Sequence, residues 1–153
     1  PGVPLAITSG RQTILIDSVQ KKMKAVEEIL CSLNLSSQIS TSGERIEDLG
    51  ITKREAFSVL TARALSKLGV LLELASPLLE NGGHLICLKA HIEKEEIDHA
   101  ISLEDKTGMK LIHTRELTLS DGETHREIFV FQKTKEPSIK LPRRVGMAQK
   151  KPL

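Results

Sequence analysis

The chain has 153 residues, 39% hydrophobic and 27% charged, which is enough for one core and excludes a disordered or fibrous protein. No apolar run approaches the ~20 residues of a membrane-spanning helix. Net charge is only +2, but residues 133–151 hold seven Lys or Arg and a single acid, Glu136, so the basic end points to a polyanionic partner. The absence of Trp and Tyr argues against a broad aromatic stacking platform for single-stranded nucleic acid.

In chain order, Pro1-Gly2-Val3-Pro4-Leu5-Ala6-Ile7 predicts a helix opening, with proline where its missing N–H costs nothing, and Gly10 closes it. Thr13-Ile14-Leu15-Ile16 predicts a short strand ending in the carboxylate of Asp17. Val19, Met23, Val26, Leu30 and Leu33 follow at helical spacing. Gln38 to Thr41 is a weak strand and Phe57 to Thr61 a firmer one. Leu65, Leu68, Leu72, Ala75 and Leu79 form an apolar helical stripe, ended by Asn81-Gly82-Gly83. Leu85-Ile86-Cys87-Leu88 reads as a strand buried on both faces. A polar helix spans Lys94 to Leu103, and Thr107-Gly108 stops the helical run. Strands Met109–Leu119 and Thr124–Gln132 are joined through Asp121-Gly122, a hairpin signal. Cys31 and Cys87 fall in apolar-periodic stretches without zinc or disulfide spacing, so both are expected in the core of a protein of the reducing cytoplasm. His84, His91, His99, His113 and His125 have no metal-ligand spacing.

Alternating strands and helices imply an α/β fold with a parallel sheet, here ending in an antiparallel hairpin. In doubly wound nucleoside-binding sheets, an acid at the end of the second strand takes the ribose hydroxyls, about 20 residues beyond the glycine turn of the first. Counting back from Asp17 places that turn ahead of Pro1. The expectation is therefore a Rossmann-like sheet lacking its first strand and glycine loop, with the central position empty or borrowed. Taken alone, Asp17 reads equally well as a cap on the following helix. Lys89, at the carboxyl end of a buried strand, faces the crevice where open α/β sheets bind ligands, or simply snorkels to water.

The terminal hairpin is the ending of class I S-adenosylmethionine-dependent methyltransferases. Pro1 to Ile7, Leu15-Ile16-Asp17-Ser18, Arg45-Ile46-Glu47-Asp48, Thr61-Ala62-Arg63-Ala64, Leu88-Lys89 and Leu141-Pro142-Arg143-Arg144-Val145-Gly146 follow in order at fitting spacing. Together they resemble the glucose-inhibited division protein B (RsmG) family, the small-subunit ribosomal RNA guanine-N7 methyltransferases. The resemblance implies that Asp17 takes the ribose hydroxyls of S-adenosylmethionine, that Ile46 and Glu47 cradle its adenine, and that Arg63 contacts it. It implies small-subunit rRNA, or the ribosomal subunit itself, as partner. Without the family, Glu47 is also a first-turn acid that complements a helix dipole. Arg63 is also a structural ion-pair partner.

The chemistry is consistent with the resemblance. Guanine N7 is a bare lone pair in the major groove. Its methylation needs alignment rather than a base, and no nucleophile–base dyad stands out in the sequence. Residues 1–133 are read as the methyltransferase domain and 134–153 as a basic tail. RNA contact is assigned to Lys89, Arg143, Arg144, Lys150 and Lys151. The competing readings are a non-catalytic RNA-binding module on a degenerate Rossmann sheet, and a nucleotide-dependent oxidoreductase that the hairpin disfavours.

Overall fold

Strand β4, Leu79–Lys89 in a computed structural model that describes residues 1–153, is the spine of the larger of two sheets. In chain order the elements before it are α1 (Gly2–Ser9), β1 (Thr13–Ile16), α2 (Gln20–Ser32), β2 (Ile39–Ser42), α3 (Ile46–Thr52), β3 (Phe57–Arg63) and α4 (Leu68–Ala75). After it come α5 (Lys94–Ser102), α6 (Glu104–Thr107), β5 (Met109–Thr118), β6 (His125–Lys133) and α7 (Met147–Lys150). The larger sheet has the order β3-β4-β6-β5, with β3 parallel to β4 and β6 antiparallel to both its neighbours. β1 and β2 form a separate parallel pair.

No strand of these residues joins β1 to β3. Their facing edges carry no ladder bonds, and the one side-chain link near their starts is Arg11 Nη2 donating to Ser58 Oγ at 2.6 Å. The fold is α/β, with parallel pairs β1-β2 and β3-β4 and an antiparallel hairpin at the end of the larger sheet.

The main core lies under the larger sheet. Leu68, Leu71, Leu72 and Ala75 of α4 meet Leu79, Leu85 and Cys87 of β4 and Phe129 and Phe131 of β6, and Ala100 and Leu103 close one side. Helix α4 is buried along its whole length. It is shorter than its stripe predicts: Pro77 cannot continue a helix, so Leu79 opens β4 instead. Leu65 lies outside the helix and is exposed. Gly82, at φ +85°, bends β4 within the strand rather than stopping a helix.

Cys87 is buried as expected, but Cys31 is exposed. Helix α2 buries only Leu30, with Met23 and Val26 half-buried, and Cys31 is one residue round on the solvent side. The C-terminal residues also differ from a free tail. Leu141 and Ala148 are buried, Arg54 Nη1 donates to the Leu141 carbonyl at 3.0 Å, and His99 Nε2 lies 2.9 Å from the Leu153 carbonyl oxygen. Apolar contacts and hydrogen bonds seat this segment on the body of the protein, so residues 134–153 are not a separate unit.

Candidate functional site

A cleft of about 980 Å³ opens between β1 and β3, lined by these strands, the start of α3 and part of the C-terminal segment. Asp17, Ile46, Glu47 and Arg63, which the sequence scatters over 47 positions, all line it. A smaller hollow of about 260 Å³, lined by Ile97, Arg115 and Glu127 among others, contains none of them.

Asp17 stands just past β1, where the strand gives way to α2. Oδ1 accepts the Val19 N–H at 2.9 Å, and Oδ2 lies 3.2 Å from the Lys22 ammonium. The Val19 amide, then Lys22, hold its carboxyl below the usual carboxylate range. An ionised carboxylate has about four acceptor positions, and the protein engages two of them. Asp17 therefore holds the start of α2 and keeps capacity for a further donor.

Ile46 opens α3 and packs against Val70, Leu74 and Ala148. Glu47 Oε1 accepts the N–H of Gly146 at 2.8 Å. Gly146 has φ +77°, a conformation that glycine adopts at no steric cost. The pair expected to cradle adenine thus also holds the C-terminal segment. Arg63 ends β3, is exposed and makes no ion pair. The chain turns immediately after it at Ala64, whose φ of +52° is uncommon for a residue with a Cβ.

The residues expected on RNA divide into two groups. Lys89 lies at the end of β4, as predicted, but its ammonium is 2.9 Å from Glu96 Oε1 and donates to the Ser66 carbonyl at 3.0 Å. Burial pushes the Glu96 carboxyl up, yet Lys89 and the Leu68 N–H outweigh it and hold the carboxyl below its ordinary value. Lys89 is better placed to join α4 to α5 than to reach phosphate. Arg143 is also engaged: Nε and Nη2 donate to the Glu73 carboxylate at 2.6 and 2.5 Å, and Nη2 donates to the Lys151 carbonyl at 2.8 Å. Glu73 in turn raises the Arg143 guanidinium above its usual value. The expected phosphate contact at Arg143 is therefore replaced by an internal one. Arg144, Lys150 and Lys151 are exposed and carry no ion pair.

A family model described as rRNA small subunit methyltransferase G matches residues 1–127. The chain belongs to this family. It is 35% identical to the ribosomal RNA small subunit methyltransferase G of Lactobacillus johnsonii, over 100% of this chain and 65% of that protein. It is 34% identical to the methyltransferase G of Thermotoga petrophila, over 100% of this chain and 67% of that one. The chain thus spans about two thirds of the length of these relatives.

Among solved structures, a 16S rRNA adenine-N1 methyltransferase from Catenulisporales acidiphilia aligns with a TM-score of 0.70 and 10% identity, covering 87% of this chain and 78% of that one. A geranyl diphosphate C-methyltransferase from Streptomyces coelicolor aligns at 0.67 and 9%, covering 86% and 67%. At such identities these two support the fold alone.

Sequence reasoning missed Glu73, Gly146 and Gln149 as parts of the cleft and its support. Glu73 did carry a signal. One acid inside Leu71-Leu72-Glu73-Leu74-Ala75 must find a partner if the helix is buried. Nothing local says that the partner lies 70 residues away.

Proposed function

We propose that the chain is the catalytic part of an rRNA methyltransferase of the reducing cytoplasm that moves a methyl group from S-adenosylmethionine to N7 of a guanine in small-subunit ribosomal RNA. The observation that carries this reading is the convergence of Asp17, Ile46, Glu47 and Arg63 on one cleft. The donor set suits an adenosyl group: a carboxylate with open acceptor positions, a half-buried apolar residue and an unpaired arginine.

Asp17 accepts the ribose hydroxyls in charge-assisted hydrogen bonds. Ile46 offers the adenine an apolar face, Glu47 lies beside it, and Arg63 supplies positive charge at the end of β3. S-adenosylmethionine, when bound, supplies an electrophilic methyl group. The protein's part is to hold the guanine so that its N7 lone pair faces that group, which is an orientation effect and requires no proton transfer. Arg144, Lys150 and Lys151 hold the RNA backbone and release counterions as they do so.

Calorimetric titration with S-adenosylmethionine and with NAD tests the cofactor class, and mass spectrometry of small-subunit rRNA after incubation tests the product. Saturable binding of S-adenosylmethionine alone, with a methyl group gained on guanine N7, is expected. Binding of NAD instead, or RNA binding without any donor binding, overturns the proposal. Asp17→Asn keeps an oxygen for the Val19 N–H but removes the charge. It should weaken donor binding by about 1.5–3 kcal/mol, and Asp17→Ala, which also removes the bond to the Val19 N–H, should loosen the start of α2 with little effect on global stability. Changing Arg144, Lys150 and Lys151 to Ala should flatten the salt dependence of RNA binding by about 0.7–0.9 per lost contact.

A further inference from the structure

One wall of the cleft is a strap, residues 141–151, that joins neither sheet. Its anchor is the two-bond pair between Arg143 and Glu73, which is 2% exposed in an otherwise apolar helix. The same guanidinium donates to the Lys151 carbonyl at 2.8 Å and so closes the strap on itself. Between these points, Gly146 donates its N–H to Glu47 and Ala148 beds on Ile46, Val70 and Leu74. Gly146 and Gln149 line the cleft together with Asp17 and Arg63. Arg144, Lys150 and Lys151 project from this same strap, exposed.

A carboxylate so far from water keeps its charge only with a partner, and two parallel N–H···O bonds fix direction as well as distance. The strap's other holds are the Gly146 N–H bond to Glu47, the buried Leu141 and Ala148, and the Arg54 bond to the Leu141 carbonyl. Only the first and Ala148 lie on the cleft-lining stretch, so removing the anchor loosens that wall of the cleft.

We propose that Arg143 and Glu73 are positioning residues for the donor cleft, and that the strap they anchor couples phosphate binding on Arg144, Lys150 and Lys151 to affinity for the methyl donor. The inference rests on the function proposed above. Phosphate on the exposed basic residues holds the strap in, which keeps Gly146 on Glu47 and the cleft wall in place. By linkage, a bound donor raises RNA affinity by the same factor.

The test measures amide exchange and S-adenosylhomocysteine affinity, with and without a small-subunit rRNA fragment, in the wild type, Glu73→Gln and Arg143→Lys. In the wild type RNA should raise S-adenosylhomocysteine affinity by roughly 5–150-fold, the usual span of coupling between sites. Glu73→Gln should lose this gain, and Arg143→Lys, which keeps one charged bond, should retain part of it. Exchange at Gly146, Lys150 and Lys151, and at Leu49 and Gly50 of α3, should rise at least about tenfold in Glu73→Gln, with β4 and β6 unchanged, as local opening predicts.

If Glu73→Gln does not fold, Arg143→Lys carries the same comparison. A strap that loosens while the RNA-induced gain survives overturns the proposal, and so does a strap that does not loosen. Absence of S-adenosylhomocysteine binding in the wild type removes the proposed function instead. The strap is then decided by exchange alone: α3 amides that quicken with it uphold its link to the cleft, and α3 amides that stay slow overturn it.

Discussion

Residues 57–133 gather a twelve-residue core around β4 and β6, with Leu72, Leu79, Cys87 and Phe131 fully buried, whereas residues 1–52 gather a cluster of three: Ala6, Leu30 and Ile39. The first region has four strands in continuous ladders, and the second has two strands of four residues each. The cleft lies between them. Arg63 stands on the firm side and Asp17 on the thinly packed side, while Ile46 packs against α4 and Ala148, and Glu47 accepts the Gly146 N–H.

The sharpest way to break this contrast is to cut matching holes in both regions. Phe131→Ala should cost about 3–5 kcal/mol, because the surrounding core cannot collapse around the cavity. Leu30→Ala should fall at the low end of the ~2–5 kcal/mol range, since its few neighbours relax easily. Denaturant unfolding of the two variants measures both, and equal losses would refute the difference in packing.

The cysteines probe the same contrast chemically. Burial pushes the Cys87 thiol up to about 12, partly offset by Lys89 and reinforced by Glu96. At neutral pH this lowers its thiolate fraction by on the order of a thousandfold. An alkylating reagent should therefore label exposed Cys31 and leave Cys87 untouched until the protein unfolds, as peptide mass spectrometry will read.

Amide exchange should sort the strands in the same order. β1 and β2 should exchange by local opening at least about tenfold faster than β4 and β6, which open only with the whole domain. Matching rates would mean that the two sheets unfold as one.

The smallest expected effect is on acid stability at the α4–α5 junction. Glu96 has a folded pKa below its ordinary 4.5, the net result of burial raising it and Lys89 and the Leu68 N–H lowering it further. Its contribution is therefore full above pH 4.5 and fades as the pH falls through the lower folded value. Glu96→Gln should flatten this part of the stability–pH profile, and an unchanged profile would remove the pair from the account.

What the sequence made legible follows the range of the interactions. The β5–β6 hairpin is written in Asp121-Gly122 and its flanking strands, and β4 in an unbroken apolar run, because turn chemistry and burial act locally. Asp17 could be placed at a strand end for the same reason. Leu79 misled because it fits a helical period from Leu65 as well as it fits a strand, and the arbiter, Pro77, sits between. Cys31 misled because apolar spacing marks a helix face only to within a residue. Arg143 was unreadable as an anchor because its partner is a single acid 70 residues earlier. The residues expected on RNA differ on that basis: Lys89 and Arg143 have buried or half-buried acids within reach, and Arg144, Lys150 and Lys151 do not.

The firm part of this molecule is also late in its chain. β6, which bridges β4 and β5, ends about 80 residues after α3, so at ~5–20 residues per second the early segments wait roughly 4–16 s for it. During that interval β1, β2 and α2 have the small cluster of Ala6, Leu30 and Ile39 but not the main core, and Ile29 and Leu33 stay more than half exposed even in the finished fold. The hairpin itself closes within about 1–10 μs once made. Synthesis therefore presents the thinly packed part of the sheet to the cell before the firm part, and slowing translation before β6 should increase capture of the nascent chain by chaperones far more than slowing it afterwards.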